Sequence, residues 1–164
     1  QTVLGLAFQY RKRGDRAENV EQAISHFLHV LQVYTVQAFP SEWAVTQIYL
    51  AYAYRDRVRG DQAENRERSI GYFQQALEVF TRQAYPQEWA STHNGLKFAC
   101  MDRKRGNRRE NIEQAIRHCQ QELEVVDRQS QAEQWAMCQI FLGYATVDLK
   151  RGKKNNTISH NNIS

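Results

Sequence analysis

Only two prolines and three cysteines occur in the 164 residues, and no long apolar run is present. A membrane-spanning helix needs roughly 18 or more consecutive apolar residues, and no window comes near that. No secretory signal pattern opens the sequence. Cys100, Cys119 and Cys138 are odd in number and contain no Cys-x-x-Cys pair, which argues against a disulfide framework. Reduced thiols in a cytoplasmic protein are the expectation. There is no glycine-rich phosphate loop, no nucleophile elbow and no His-Glu-x-x-His, so neither an enzyme nor a cofactor is expected. Of the five histidines, His26 and His29 stand three apart on one helix, but no carboxylate or thiol stands at a helical spacing that completes a metal site. His118 and Cys119 diverge by about 100° as helical neighbours. No metal is expected.

What the sequence has is a period of 46 residues. Arg13-Gly14, Arg59-Gly60, Arg105-Gly106 and Arg151-Gly152 keep it, as do Trp43, Trp89 and Trp135. Glu18-Asn19, Glu64-Asn65 and Glu110-Asn111 keep it too. A fixed period of this length marks one supersecondary unit that buries its apolar face only by stacking on its neighbours. The units span about 1–39, 40–85, 86–131 and a partial 132–152. Cys119 then falls where Phe27 and Phe73 stand, as a small core hydrophobe.

Within the second unit, residues 42–58 carry Trp43, Leu50, Ala53 and Tyr54 at helical spacing, which predicts a helix A. Gly60 suits the left-handed turn that closes a helix, and Arg57 and Arg59 suit its C-terminal carbonyls. Asn65 reads as the N-cap of a helix B over about 66–84, with the apolar stripe Ile70, Phe73, Leu77, Phe80 and Ala84. Asn19-x-x-Gln22 and Asn111-x-x-Gln114 resemble capping boxes. Pro40 and Pro86 mark the unit boundaries. The prediction is seven helices, beginning with a truncated A over about 2–13 and ending with an A over 133–150. Gln1 aligns with Gln47, so the sequence opens inside a helix. Residues 153–164 are polar and aperiodic, and disorder is expected there.

The patterns Leu50-Ala51-x-Ala53-Tyr54 and Ser69-Ile70-x-x-Phe73-x-x-Ala76-Leu77 carry a resemblance, echoed by Leu4-Gly5-x-Ala7-Phe8 and Ala23-Ile24-x-x-Phe27. They resemble the tetratricopeptide (TPR) repeat, whose usual unit is about 34 residues. The long form, with its Gly-Asp-x-Ala-Glu-Asn turn and Tyr/Phe-Pro-x-Glu-Trp-Ala junction, is similar to arrays of bacterial, cyanobacterial and fungal proteins that carry CHAT or nucleotide-binding modules. The resemblance implies an all-α, right-handed α-solenoid of about three and a half antiparallel helix pairs over residues 1–152. It implies a scaffold that binds a protein or peptide on the concave face lined by helices A. The face residues are then Leu6, Ile48, Tyr52, Arg55, Asn94, Phe98, Met101, Ile140 and Tyr144, with Gln9 and Val147 continuing one row. Packing between neighbouring helices is the competing role for these aromatics. Trp43, Trp89 and Trp135 are expected at unit junctions. Family members that bind C-terminal carboxylates use a groove cluster of Lys, Asn and Arg, and here Asn94 is the main polar residue in those rows.

Two further partners are weighed by charge and by the chain's ends. The turns 11–18, 55–64, 102–110 and 148–154 sum to +8 and the remainder to −4. A basic edge suits phosphates, but cations at helix C-termini next to Asp15, Glu18, Asp61 and Glu64 need no nucleic acid. The last helix A, with Ile140, Phe141, Leu142 and Tyr144, has no helix B after it, so self-association by end stacking is the rival to partner binding.

Overall fold

A computed structural model describes the backbone of residues 15–161 and the side chains of residues 15–151. The expected helix over 2–13 and the face residues Leu6 and Gln9 lie outside the described residues. Six helices follow: α1 (Arg16–Val30), α2 (Pro40–Asp56), α3 (Gln62–Ala76), α4 (Pro86–Asp102), α5 (Arg108–Leu123) and α6 (Ala132–Asn161). Each packs antiparallel on the next, and α2 also approaches α4. No described helix is long and apolar enough to cross a membrane.

Helices α2 and α4 start on Pro40 and Pro86, where the missing N–H removes a donor that the first turn leaves unpaired anyway. They stop at Asp56 and Asp102, two residues before the predicted ends. Gly60 and Gly106 then take φ of +76° and +79° inside the turn, where a Cβ is strained. Arg57, expected in the last helical turn, instead lies beyond it in extended backbone and crosses to Glu21 of the preceding unit.

The N-caps differ from expectation. Asp15, Asp61 and Asn107 cap α1, α3 and α5, accepting from the N–H of Ala17, Glu64 and Arg109 at 2.8, 2.7 and 2.8 Å. Asn19, Asn65 and Asn111 sit one turn inside the helix and are buried. Asn65 and Asn111 donate to the carbonyls of Arg59 and Arg105, both at 2.9 Å, and so pin the loop. The capping boxes do not form as read: Gln22 donates to Glu18, and Gln114 accepts from the Cys100 thiol.

Helices B are shorter than predicted, and the reason recurs. The Thr35 and Thr81 hydroxyls accept from Ala38 and Ala84, and the Asp127 carboxylate accepts from Gln129 and Ser130. A side-chain acceptor at this place offers the backbone a turn in place of the helix. Phe80 and Val126 still bury themselves just past the helix ends.

Helix α6 differs the other way. It runs through Gly152 to Asn161, where a break and a disordered tail were predicted. Lys153 stands at the place of the capping Asp61 and Asn107, and Thr157 at that of Asn65 and Asn111. A lysine cannot accept the bonds that close the turn and cap a new helix.

The core runs between the helices in layers. Val20, Ala23, Ile24 and Phe27 of α1 pack on Leu50, Ala53 and Tyr54 of α2. Ile70 and Phe73 of α3 pack between Ala51 and the pair Leu96 and Ala99 of α4. Full burial of a phenylalanine such as Phe73 contributes roughly 2–3 kcal/mol. At the junction, Trp43 and Tyr85 flank Ala44, Ala76 and Phe80, and Ser41 bonds the Tyr85 hydroxyl at 3.0 Å. Trp89 lies edge-on to His93, and Arg128 covers the face of Trp135.

Candidate functional site

Between α2 and α4 the helices close up because α4 offers Gly95 to Phe73. A Cβ on Gly95 would lie 2.5 Å from the Phe73 ring. One unit later Phe141 replaces Gly95 and Cys119 replaces Phe73. The Phe141 ring stands edge-on to Phe98 at 6.3 Å, and α4 and α6 make no close backbone approach among the described residues. A wedge in place of a glycine keeps these two helices apart.

The result is a groove of about 710 Å³ between α4 and α6. Asn94 and Phe98 form one wall, and Met137, Ile140, Phe141 and Tyr144 form the other, at i, i+3, i+4 and i+7 on one helix face. Phe98, Met137, Ile140 and Tyr144 are exposed, Tyr144 at 74%. An exposed apolar cluster of this kind marks an interaction site more often than isolated surface residues do.

The floor of the groove is charged. Lys97 Nζ donates to Glu122 Oε2 at 2.9 Å, and both side chains are almost wholly buried. Gln134 donates to the other oxygen, Oε1, at 2.9 Å. Lys97 Nζ also lies 5.0 and 5.2 Å from the ring centres of Phe98 and Phe141. Behind the pair, Cys138 Sγ is 3.9 Å from Lys97 Nζ, and the Cys119 thiol donates to the Cys138 carbonyl at 3.5 Å. The neighbouring Cys138 thiol lowers Cys119, while the Cys119 thiol and burial hold Cys138 well above the usual thiol range. Cys100 lies apart from them, and burial pushes its thiol up to about 11.

The predicted face residues divide into groups. Asn94, Phe98, Ile140 and Tyr144 come together in this groove. Ile48 and Tyr52 pack against the core instead, with the Tyr52 ring edge-on to Phe73 at 5.1 Å. Arg55 lies over Tyr52 and lines a smaller depression with Asp56, Arg66, Phe98 and Asp102. Met101 lines another beside Arg103 and Arg108. His26 and His29 gain no third ligand among the described residues.

Sequence reading missed Lys97, Glu122 and the facing of Cys119 and Cys138. It also missed His93 and His118, whose Nδ1 atoms lie 2.9 Å apart. Burial, and the nearby His118, press His93 down to about 4, and burial lowers His118 as well. The one available signal was the breakdown of the repeat: Ala51, Phe73 and Ala76 become Lys97, Cys119 and Glu122 in a single unit. No protein-family model, curated protein or solved structure matches the chain.

Proposed function

We propose that the chain is a non-catalytic protein-binding scaffold of tetratricopeptide type, a right-handed α-solenoid that seats a peptide or helix of its partner in the α4–α6 groove. The observation that carries this reading is the meeting of Asn94, Phe98, Ile140 and Tyr144 on one open, mostly apolar cleft. A stripe at i, i+3, i+4 and i+7 with an aromatic wall opposite suits an amphipathic helix or extended segment presenting large apolar side chains. Lys97 is already neutralised by Glu122, so the cleft selects apolar groups over a terminal carboxylate.

The basic turns favour this reading over nucleic acid. Arg59 and Arg105 pair with Glu18 and Glu64 at 3.0 and 3.2 Å, and Arg57 and Arg103 pair with Glu21 and Glu67. Cations held this way release few counterions on meeting a phosphate backbone. The second reading is self-association, favoured by the exposed row Met137, Ile140, Tyr144 and Val147 on α6. Sedimentation across a concentration series tests it, and a strict monomer counts against it.

The binding reading is tested by panning a random peptide library against the full chain. Selected peptides are expected to lose tenfold or more in affinity for an Ile140→Ser, Tyr144→Ala variant of unchanged melting temperature. Equal affinity for that variant would refute the groove.

A further inference from the structure

We propose that Cys119, Glu122 and Cys138 form a site for a thiophilic divalent cation of the zinc class, with Lys97 kept as its counter-charge. Their ligand atoms lie within 4.8 Å of one another, and all three residues are buried. A tetrahedral centre with ordinary zinc–sulfur distances sets its sulfurs about 3.8 Å apart, so the cluster needs to contract by less than about 1 Å. Two thiolates and one carboxylate suit zinc or cadmium and disfavour magnesium or calcium. Three protein ligands leave one tetrahedral position for water.

The repeat shows how unusual this place is. The equivalent residues one unit earlier are Ala51, Phe73, Ala76 and Thr92, all buried and none of them charged. In the third unit the same four positions hold Lys97, Cys119, Glu122 and Cys138. A buried ion pair gains little over well-packed apolar residues. Packing alone therefore gives no reason to replace a working apolar core with an ammonium, a carboxylate and two thiols.

The charges close. Without metal, the Lys97 ammonium and the Glu122 carboxylate cancel, so with both thiols protonated the cluster is neutral. With metal, one dication enters, the Cys119 and Cys138 thiols each lose a proton, and the cluster is again neutral. Lys97 does not need to leave. At 2.9 Å from Glu122 and 3.9 Å from Cys138 Sγ it is placed to donate to the ligands and hold them in position. Lys97 and Glu122 also line the groove, which gives the ion a way in.

The test uses the full chain, metal-free and reduced with a phosphine, titrated with Cd²⁺ and then Zn²⁺. One equivalent of cadmium is expected to bind with thiolate charge-transfer absorption and to release two protons near neutral pH. Cys100→Ala is expected to keep the band. Cys119→Ser and Cys138→Ser are each expected to weaken binding about a hundredfold or more, and Glu122→Gln by tenfold or more. A full-strength band in either serine variant overturns the site, as does the absence of any band in the wild-type chain. If the serine variants do not fold, the Cys100→Ala chain, which keeps only Cys119 and Cys138, decides: a thiolate band that saturates at one cadmium per chain supports the site, and no band overturns it.

Discussion

Arg57 grips Glu21 with two parallel hydrogen bonds of 2.8 and 2.9 Å, across 36 residues of sequence and from one repeat to the next. Arg103 and Glu67 repeat the grip one unit later, both bonds at 2.7 Å. Each pair ties the segment after a helix A to the helix B before it. At the third place Leu149 replaces the arginine, and Glu113 turns to Arg109 on its own helix.

These clamps are part-exposed, so their worth is modest. A double-mutant cycle on Arg57→Met and Glu21→Gln is expected to give a coupling of about 0.5–1 kcal/mol that shrinks with added salt. Urea unfolding at two ionic strengths measures it. A salt-independent coupling would contradict the assignment.

The charged floor of the groove predicts opposite results for breaking it and for replacing it. Lys97→Met strands the buried Glu122 and is expected to cost about 3–5 kcal/mol. The combined change Lys97→Ala, Cys119→Phe, Glu122→Ala and Phe141→Gly copies the second unit's core, with a glycine again facing the phenylalanine, and is expected to be near neutral or stabilising. Equilibrium unfolding of the two variants separates them, and a quadruple variant less stable than the single one would refute the equivalence of the two units.

Two glycines behave differently. Gly95→Ala sets a Cβ against Phe73 and is expected to cost about 1–3 kcal/mol, partly relieved by Phe73→Leu. Gly71 lies inside α3 with nothing within 4 Å of an added Cβ. Gly71→Ala is expected to stabilise by about 0.5–1 kcal/mol through helix propensity. Thermal unfolding of the three variants checks both signs.

The His93–His118 pair makes stability depend on acid. Both imidazoles titrate lower when folded, His93 at about 4, so below about pH 6.5 the unfolded chain binds more protons. Their contribution is complete above pH 6.5 and is lost as pH falls toward 4. His93→Gln restores the residue type found at Gln47, the equivalent position, and is expected to flatten this part of the profile. Melting temperatures from pH 7 to pH 4 give the comparison.

The helix faces were legible because their period is both helical and repeated: Leu50, Ala53, Tyr54, Ile70 and Phe73 are buried where the pattern puts them. The caps were misread by one turn because Asp61 and Asn65 are both capping types, and only the fold sends Asn65 inward to the loop carbonyls. The helix B ends were hidden because Thr81 looks like any helical threonine until its hydroxyl takes the Ala84 N–H. Phe98 and Tyr144 could be placed on one face from their spacing. Tyr52, half-buried, packs against the core beside Phe73, the ring that Gly95 of α4 meets from the other unit. Lys97 meets Glu122 across 25 residues and two helices, a distance at which no local spacing signals contact.

We propose the α4–α6 groove as the place where a partner peptide binds. Amide and methyl chemical shifts of the full chain, followed during titration with a library-selected peptide, check that placement residue by residue. The largest changes are expected on Asn94, Phe98, Met137, Ile140 and Tyr144, with little change in α1. Saturable binding whose shifts cluster on the turns around Gly60 and Gly106, leaving Ile140 and Tyr144 unmoved, would contradict it.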